Sequence, residues 1–388
     1  MKMNYQKLHN YYENKKQEFT SLLTQFVEIQ TYSGETENIN IFLDFLLNLF
    51  SKYEPKIKRI ETNGGDILIL DLFNDKEGQI IFLSHVDTVR VSEDKVNCSL
   101  DENKLYGNGS YDMKAASAII YFVIDYLCQN QSEINNSIRL IFTPDEETGS
   151  QYSMEHLIKL CNNAQAVFIG EPSCNGGKVK LKRKGVLHIN IYILGRSAHS
   201  GIEPEEGIDA NKELLAVLNK IYLIISKYPS IHFNPGIISG GVKKNVVSPD
   251  SFLDAEMRSF SNHDLQNAMN EIKNIKPDSE AIINIDTFIN KPALEMTDTN
   301  YNLYLIAKEI ASHLSVDLGY CSTGGASDGS NLGAVGIPVL DGLGIQGGGA
   351  HTTWEHIDID DFPFRAALYT GLSTIHFNKL YVGKSDEK

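Results

Sequence analysis

The first half of the chain alternates between helical and extended hydrophobic patterns. Apolar residues recur at helical spacing around Phe19–Ile29 and Asn40–Lys52, and the apolar run AASAIIYFVIDYLCQ is long enough for a buried helix. Shorter apolar runs that predict strands lie between the helical segments, in DILILDLF, IIFLSHVD, SIRLIFTPDEE and AVFIGEPS. Because helices and strands alternate along the sequence, the pattern predicts an α/β fold in which helices flank a mixed sheet.

The middle of the chain has a different pattern. Alternating apolar and polar positions in VLHINIYILG and in Ser251–Arg258 predict strands, and helical spacing returns near Asp209–Lys227 and Leu265–Ile275. This order is typical of a small α+β unit, and the α/β pattern resumes after Lys291. We therefore predict a larger domain formed by residues 1–180 and 293–388, with a smaller domain of residues 181–292 inserted in it.

Polar residues follow three of the predicted strands. His85 follows the run IIFLS, Glu146 and Glu147 follow SIRLIFTPD, and Glu171 follows AVFIG. In open α/β sheets, functional groups collect at the carboxyl ends of the strands. The pattern therefore indicates a functional site at that edge of the sheet.

Composition narrows the class of protein. A chain of 388 residues with 42% hydrophobic composition is long enough for a substantial core and about two domains. The formal net charge of -15, with Lys and Arg scattered along the chain, argues against a nucleic-acid partner. A small anionic substrate stays compatible with this charge, because bound divalent cations reverse the local field of an acidic site.

Cysteine usage and hydropathy indicate the compartment. The five cysteines are odd in number and form no CxxC pair, so neither a disulfide framework nor a thiolate zinc site is expected. The polar N-terminal segment MKMNYQKLHNYYENKKQ does not fit a secretory signal, and no apolar run is long enough to span a bilayer. We expect a cytoplasmic protein without a membrane partner.

Five short segments carry candidate metal ligands. They are His85 in SHVDTV, Asp112 in GNGSYDMKAASA, Glu147 in TPDEETGS, Glu171 in IGEPS and His351 in GGGAHTTWEHI. Each residue alone is more commonly a surface or core residue than a ligand. A set of imidazole and carboxylate groups without thiolates is nevertheless typical of catalytic zinc, because structural zinc more often uses cysteine.

In their order along the chain, the segments HVDTV, GNGSYDMK, DEETGS and EPS and the late His351 resemble the M20 metallopeptidase family over nearly the whole sequence. At the position of Glu171, several peptidases and acylases have Asp. With Glu171 and the ending GGGAHTTWEHI, the chain is similar to the branch of carboxypeptidase G2 and acetylornithine deacetylase. This resemblance implies a zinc-peptidase-like catalytic domain, a ferredoxin-like dimerisation or lid domain and a homodimer.

The resemblance also implies a ligand set for two Zn²⁺ ions, with Co²⁺ or Mn²⁺ as alternatives. His85 and Glu171 would hold one cation, Glu147 and His351 the other, and Asp112 would bridge both. The family further tends to have a cis peptide bond after the bridging Asp112.

Two acidic residues are candidate catalytic groups. Glu146, beside Glu147, is the candidate general base that takes a proton from a metal-bridging water and passes it to the leaving amine. Adjacent glutamates are usually part of a solvated loop, but the preceding strand and the turn at Gly149 favour a site. Asp87 lies two residues after His85, so on a strand both side chains share a face and Asp87 can orient the imidazole.

The resemblance assigns four further positions to the substrate: His199 in GRSAHSG, Asn245 in NVVSPD, Arg258 in AEMRSF and Gly325 in TGGASDGS. His199 would reach the site of a neighbouring subunit and polarise the scissile carbonyl. Arg258 would offer its planar fork to the substrate's α-carboxylate. For both residues, a surface role is the alternative. The glycine-rich segment around Gly325 contains neither a phosphate-loop nor a dinucleotide fingerprint.

The predicted activity is hydrolysis of an amide bond that releases a C-terminal amino acid, with glutamate as a candidate, from a peptidyl or N-acyl conjugate. Lys178 and Lys291 are candidate partners for a substrate side-chain carboxylate. Two alternatives stay open: a deacylase of the acetylornithine or succinyl-diaminopimelate type, and a catalytically silent protein that binds peptides.

Overall fold

The structure is a computed structural model that describes residues 3–93 and 97–377. It contains two compact units. The first unit is formed by Met1–Leu181, Met296–Ser322 and Ser327–Lys388, and the second unit by Lys182–Glu295 and Thr323–Ala326.

The helices run over Tyr5–Glu13 (α1), Lys16–Glu28 (α2), Thr36–Ser51 (α3), Ala115–Gln129 (α4), Met154–Cys161 (α5), Ala210–Ile225 (α6), Asn262–Lys273 (α7), Asp298–His313 (α8), Asp328–Ala334 (α9) and Phe362–Ser373 (α10). A π-helical turn at Ser110–Lys114 precedes α4, and a 3₁₀ turn at Glu146–Thr148 precedes α5. Within the described ranges, no helix is both long enough and apolar enough to cross a membrane. A cytoplasmic location stays a prediction.

The strands run over Lys56–Ile60 (β1), Ile67–Leu72 (β2), Gln79–His85 (β3), Ser99–Asp101 (β4), Lys104–Tyr106 (β5), Ser137–Thr143 (β6), Ala166–Ile169 (β7), Val179–Arg183 (β8), Gly185–Leu194 (β9), His232–Gly240 (β10), Asp250–Ser259 (β11), Ile282–Lys291 (β12), Tyr320–Thr323 (β13), Val339–Leu340 (β14), Gly347–Gly348 (β15) and His356–Asp358 (β16).

The first unit is built on a mixed sheet in the order β1-β2-β6-β3-β7-β14. β6, β3, β7 and β14 are parallel, and β1 and β2 pair antiparallel at one edge. Ile80 and Phe82 of β3 belong to an apolar cluster with α1–α4, α8 and α10, whereas Ile81 and Leu83 belong to a second cluster with α5 and α9. Both faces of the sheet are therefore buried, which explains the near-continuous apolar runs of its strands. The predicted α/β class is confirmed.

The second unit is an antiparallel sheet in the order β10-β11-β9-β12 with α6 and α7. Its elements follow one another as βαββαβ, the ferredoxin-like order. Alternate residues of β9, from Leu187 to Ile193, are buried against the two helices, as the alternating sequence of this strand predicts.

The cysteine prediction was wrong in one respect. Cys174 and Cys321 form a disulfide with their Cα atoms 6.7 Å apart, although 147 residues separate them in the sequence. They meet because β13, which contains Cys321, pairs with β8, and Cys174 lies shortly before β8. Cys98, Cys128 and Cys161 are free. Local spacing along the chain carries no information about such a long-range pairing.

Candidate metal centre

The candidate site lies at the carboxyl edge of the sheet in the first unit. β3 ends at His85, β6 leads into the turn Glu146–Thr148, and β7 leads into Glu171. Because β3 is parallel to both β6 and β7, the three segments arrive at the same edge.

Two further candidate ligands come from turns. Asp112 lies in the π-helical turn before α4, and its peptide bond to Met113 is cis, as the resemblance implies. His351 follows β15 with a left-handed φ of 62°. A Cβ on Gly347 would lie 2.1 Å from the carbonyl oxygen of His356. Close backbone packing therefore requires glycine in this segment.

Asp112 lies between two histidines. Its Oδ1 is 3.1 Å from Nε2 of His85, and its Oδ2 is 3.6 Å from Nε2 of His351. Oε1 of Glu171 lies 3.7 Å from the same nitrogen of His85. Oε1 of Glu147 lies 3.0 Å from Nε2 of His351. Each oxygen of Asp112 thus faces a different His–Glu pair, which is the arrangement of a carboxylate shared by two cations.

The donor set fits a pair of divalent cations. Ligand atoms of His85, Asp112 and Glu147 lie within 4.8 Å of one another, and so do those of His85, Glu146 and Glu171. Carboxylates gathered this closely need compensating positive charge, which bound protons or cations supply. Imidazole and carboxylate donors without thiolate suit Zn²⁺, Co²⁺ or Mn²⁺.

The pKa values of the candidate ligands are strongly perturbed. Burial lowers the pKa of His85, but hydrogen bonds to Asp112 and Asp87 outweigh it and raise that pKa well above its ordinary value. The carboxylates of Asp112 and Glu147 raise the pKa of His351 to about 10. Burial raises the pKa of Glu147 to about 8. Burial also opposes ionisation of Asp112, but the two histidines hold its pKa below the ordinary value. Cation binding by these groups would therefore compete with proton binding.

Asp87 contacts two of the ligand segments. Its main-chain oxygen lies 2.9 Å from Nδ1 of His85, whereas its Oδ1 is 3.4 Å from that nitrogen. The backbone N–H groups of Glu146 and Glu147 donate to its carboxylate at 3.0 and 3.1 Å. The Ser33 hydroxyl donates to the same carboxylate at 2.8 Å. The carboxylate thus fixes the turn that carries the two glutamates, and the carbonyl makes the shorter contact with the imidazole.

Glu146 begins the turn that supplies Glu147. Its carboxylate lies within 4.8 Å of ligand atoms of His85 and Glu171. The turn ends at Gly149, which has a φ of 93°, a conformation that glycine adopts without strain. This arrangement places a carboxylate beside the candidate cations, within reach of a water that they would bind.

Sequence reasoning missed Glu355. Its carboxylate is buried and accepts hydrogen bonds from the backbone N–H groups of Gly109, Tyr111 and Asp112 at 2.8, 2.9 and 2.9 Å. Burial raises the pKa of Glu355 to about 7, against the effect of these donors. The one signal in the sequence was an acidic residue four positions after His351 in the segment HTTWEHI.

Sequence reasoning also missed a lysine beside the candidate ligands. Nζ of Lys180 lies 3.9 Å from Oε2 of Glu171, and its side chain is largely buried. Of the two lysines predicted to meet a substrate carboxylate, Lys178 is exposed and Lys291 is buried in the second unit. The lysine beside Glu171 is instead Lys180 of β8, a strand whose sequence VKLKR alternates between apolar and polar residues.

His199 and Asn245 are neighbours in the second unit. The backbone N–H of Ser200 donates to the carbonyl of Asn245 at 3.1 Å, and His199 bridges to Val246. His199 is exposed, and its Nδ1 accepts from the backbone N–H of Gly201 at 3.2 Å. Among the described residues none bonds to its Nε2, which is the ring nitrogen open to a ligand.

Arg258 and the segment of Gly325 form a second group in this unit. Nε and Nη2 of Arg258 donate to the carboxylate of Glu256 at 2.8 and 3.1 Å, and Nη1 donates to the carbonyl of Gly324 at 2.9 Å. The carbonyl of Gly325 accepts from Arg183 at 3.1 Å. The family resemblance implies that the fork of Arg258 is open to a substrate. Glu256 occupies it here, so a substrate carboxylate would have to displace Glu256 or bind beside it.

Comparison with known proteins gives a family and a fold. The profile of peptidase family M20/M25/M40 matches residues 81–374. Carboxypeptidase G2 of Pseudomonas sp. (strain RS-16) is 27% identical over 357 residues, which cover 88% of this chain and 85% of that protein. Acetylornithine deacetylase of Buchnera aphidicola subsp. Schizaphis graminum (strain Sg) is 29% identical over 265 residues, 62% of this chain and 67% of that protein. Aminopeptidase PepT from Bacillus cereus ATCC 10987 has a similar fold, with a TM-score of 0.79 at 21% identity over 92% of this chain and 98% of that one.

Proposed function

The chain belongs to peptidase family M20/M25/M40, and from this premise we propose that it is a two-metal hydrolase that releases a C-terminal amino acid from a peptidyl or N-acyl conjugate. The observation that carries the proposal is the placement of Asp112. Its two oxygens face two separate His–Glu pairs, so one carboxylate serves two cation positions. A binding protein without catalysis has no need of this arrangement.

Zn²⁺ is the proposed metal at both positions. His85 and Glu171 would hold one ion, Glu147 and His351 the other, and Asp112 would be shared. When bound, the cations would polarise the scissile carbonyl and acidify a water molecule between them.

Glu146 is the proposed general base and acid. It takes one proton from the attacking water, whose oxygen forms the new bond to the carbonyl carbon. When the C–N bond breaks, Glu146 gives that proton to the leaving nitrogen and returns to its starting state. The turn that carries Glu146 is held by Asp87, so the carboxylate is positioned before the substrate binds.

We propose that the enzyme works as a homodimer in which His199 of the partner subunit completes each site. Within one chain, the His199 segment lies beyond the Asp250 end of β11, because Gly195 bonds to Pro249, whereas Arg258 lies near the other end. At about 3.3 Å per residue, Asp250 and Arg258 are roughly 26 Å apart. No small substrate can contact both regions of one chain, and a symmetric dimer removes this difficulty.

Exposed apolar residues in the second unit support the pairing. Ile238 of β10 lies beside Leu215 of α6, and both side chains are more than half exposed. Leu223 of α6 and Ile237 of β10 are also exposed. An edge strand and a helix with apolar residues of this kind are typical of an interface.

The released amino acid is proposed from the relatives. Similarity to carboxypeptidase G2 favours removal of a C-terminal residue. Glutamate is the candidate that the family resemblance of the sequence implies. Similarity to acetylornithine deacetylase favours the second candidate, a deacylase that acts on an N-acyl amino acid. The two activities share the chemistry and differ in the group on the acyl side of the bond.

The test is release of free amino acid from a panel of dipeptides, N-benzoyl amino acids and N-acetyl amino acids. Zinc-loaded wild type is expected to hydrolyse one class, and Glu146→Gln to lower kcat by about 10²–10⁴-fold with both metals retained. Preference for bulky acyl groups supports the carboxypeptidase, and preference for acetyl supports the deacylase. Absence of turnover by folded, metal-loaded wild type across the panel would overturn the proposal in favour of a binding protein.

A further inference from the structure

We propose that Glu355 is a positioning residue for the metal pair, and that its buried carboxylate holds the Asp112 turn at a fixed distance from the His351 segment. The inference rests on the proposed function, because it assumes that Asp112 and His351 bind cations. Glu355 is not a ligand in this account. It acts through the backbone of the ligand segments.

Four hydrogen bonds join Glu355 to the segment that leads to Asp112. Oε1 accepts the N–H groups of Tyr111 and Asp112, both at 2.9 Å, and Oε2 accepts that of Gly109 at 2.8 Å. The carbonyl oxygen of Glu355 accepts the N–H of Gly107 at 3.0 Å. Side chain and main chain therefore hold the same segment, and the side chain holds the N–H of Asp112 itself.

A carboxylate suits the position of Glu355 because the groups around it are hydrogen-bond donors. The turn that precedes α4 begins with N–H groups that have no partner inside the helix, and three of them converge on one point. A carboxylate provides two acceptor oxygens and no donor. Glutamine provides one acceptor oxygen, and its NH₂ group would face at least one backbone N–H. Because Glu355 is only 2% exposed, water cannot replace the lost acceptor.

The topology explains why the same residue affects His351. β5 and β16 pair antiparallel, with Tyr106 opposite His356. One more hydrogen bond, from the N–H of Gly107 to the carbonyl of Glu355, follows this pair, and from there one segment runs toward Asp112 and the other back toward His351. Glu355 therefore stands where the strand pairing ends, and its carboxylate continues the connection to the segment of Asp112. Displacing it would therefore change the spacing between a bridging ligand and a terminal ligand.

The second unit offers a matched control. Glu213 is also a buried carboxylate, and it accepts the backbone N–H groups of Asp278 and Ser279 at 2.8 and 3.1 Å. It belongs to the unit that contains none of the candidate metal ligands. Glu213→Gln should therefore cost stability of the same kind without affecting cation binding.

The experiment compares full-length wild type, Glu355→Gln and Glu213→Gln. Zn²⁺ affinity and stoichiometry are measured by competition with a chromophoric chelator, the visible spectrum is recorded after loading with Co²⁺, and thermal unfolding is followed without metal. Glu355→Gln is expected to weaken binding of at least one Zn²⁺ by about 10–100-fold and to change the Co²⁺ spectrum. Glu213→Gln is expected to lower the unfolding temperature while affinity and spectrum stay at wild-type values.

The outcomes separate the two proposals. If wild type binds two Zn²⁺ and Glu355→Gln matches it in affinity and spectrum, the inference is wrong and the proposed function stands. If folded wild type binds no Zn²⁺ tightly, the proposed function fails and the inference fails with it. Should Glu355→Gln not fold, Glu355→Asp is measured instead. This variant keeps the negative charge, but its side chain is one methylene shorter, so both acceptor oxygens move away from the backbone N–H groups. Wild-type Zn²⁺ affinity in Glu355→Asp would therefore also overturn the inference.

Discussion

At the scale of single residues, Asp87 connects the carboxyl end of β3 with the turn that carries Glu146. Its carbonyl contacts the His85 ring, and its carboxylate accepts the N–H groups of Glu146 and Glu147. The side chain is fully buried, so these bonds have no competition from water. One residue thereby fixes a candidate metal ligand, the proposed general base and a second candidate ligand.

Replacing Asp87 by Asn keeps its volume but removes one acceptor oxygen. We expect Asp87→Asn to lower kcat by about 10–100-fold, because the turn that carries Glu146 loses a bond. Ser33→Ala removes only the third hydrogen bond to this carboxylate and should change kcat by less than about threefold. Steady-state kinetics on the best substrate of the panel would decide, and equal kcat values for wild type and Asp87→Asn would contradict this role.

The pKa values of the candidate ligands predict that metal binding displaces protons. Without metal, the carboxylates of Asp112 and Glu147 raise the pKa of His351 to about 10, and burial raises the pKa of Glu147 to about 8. The two groups lie 3.0 Å apart and titrate together, so at pH 7 the pair holds at least one proton, and it must lose that proton before both groups can bind a cation. Zn²⁺ affinity should rise with pH from 6 toward 8.

Titration calorimetry at pH 7 in PIPES and in ACES would measure this release, because the two buffers bind Zn²⁺ only weakly and differ in ionisation enthalpy. The apparent binding enthalpy is expected to differ between the buffers by the number of protons released times that difference. The same apparent enthalpy in both buffers would show that no proton leaves, and the account of the ligand charges would then be wrong.

At the scale of elements, the pairing of β15 with β16 depends on Gly347. A Cβ at this position would lie 2.1 Å from the carbonyl oxygen of His356, and backbone has little room to move away. Gly347→Ala is expected to reduce the free energy of unfolding by about 1–3 kcal/mol and to weaken Zn²⁺ binding through the His351 segment.

The neighbouring Gly348 provides the control for that prediction. A methyl group at this position would meet the His356 ring at 3.5 Å, an ordinary contact, so Gly348→Ala should stay within about 0.5 kcal/mol of wild type. Chemical unfolding of both variants gives the comparison. Equal stability of the two variants would mean that close packing does not explain the glycine at position 347.

The elements also show what the sequence could predict. Strands β3, β6 and β7 were predicted because burial on both faces leaves long apolar runs, and the polar residues at their ends identified the edge that holds His85 and Glu171. The positions of Asp112 and His351 came from the resemblance, since turns have no periodicity to detect. Glu355 was missed because its partners are more than 240 residues away, and local pattern does not encode such contacts. The Cys174–Cys321 pair was missed for the same reason.

At the scale of the whole molecule, the proposed exchange of His199 between subunits predicts complementation. His199→Ala and Glu146→Gln should each be nearly inactive. In a mixed dimer, however, one site combines an intact Glu146 with an intact His199 from the other chain. After denaturation and refolding of an equal mixture, activity should recover to about a quarter of wild type, because half of the dimers are mixed and each has one complete site.

Each variant refolded alone is the control for this experiment and should stay inactive. The ratio of chains in the mixture can be varied, and recovered activity should peak near equal amounts. If the mixture is no more active than the separate variants, His199 does not act across subunits.

The central claim is that Asp112 is shared by two cations, and anomalous diffraction from crystals of the zinc-loaded protein tests it most directly. The account predicts two anomalous peaks about 3.5–4 Å apart on either side of Asp112, one beside His85 and Glu171 and the other beside Glu147 and His351. A single peak, or two peaks that do not share Asp112, would contradict it.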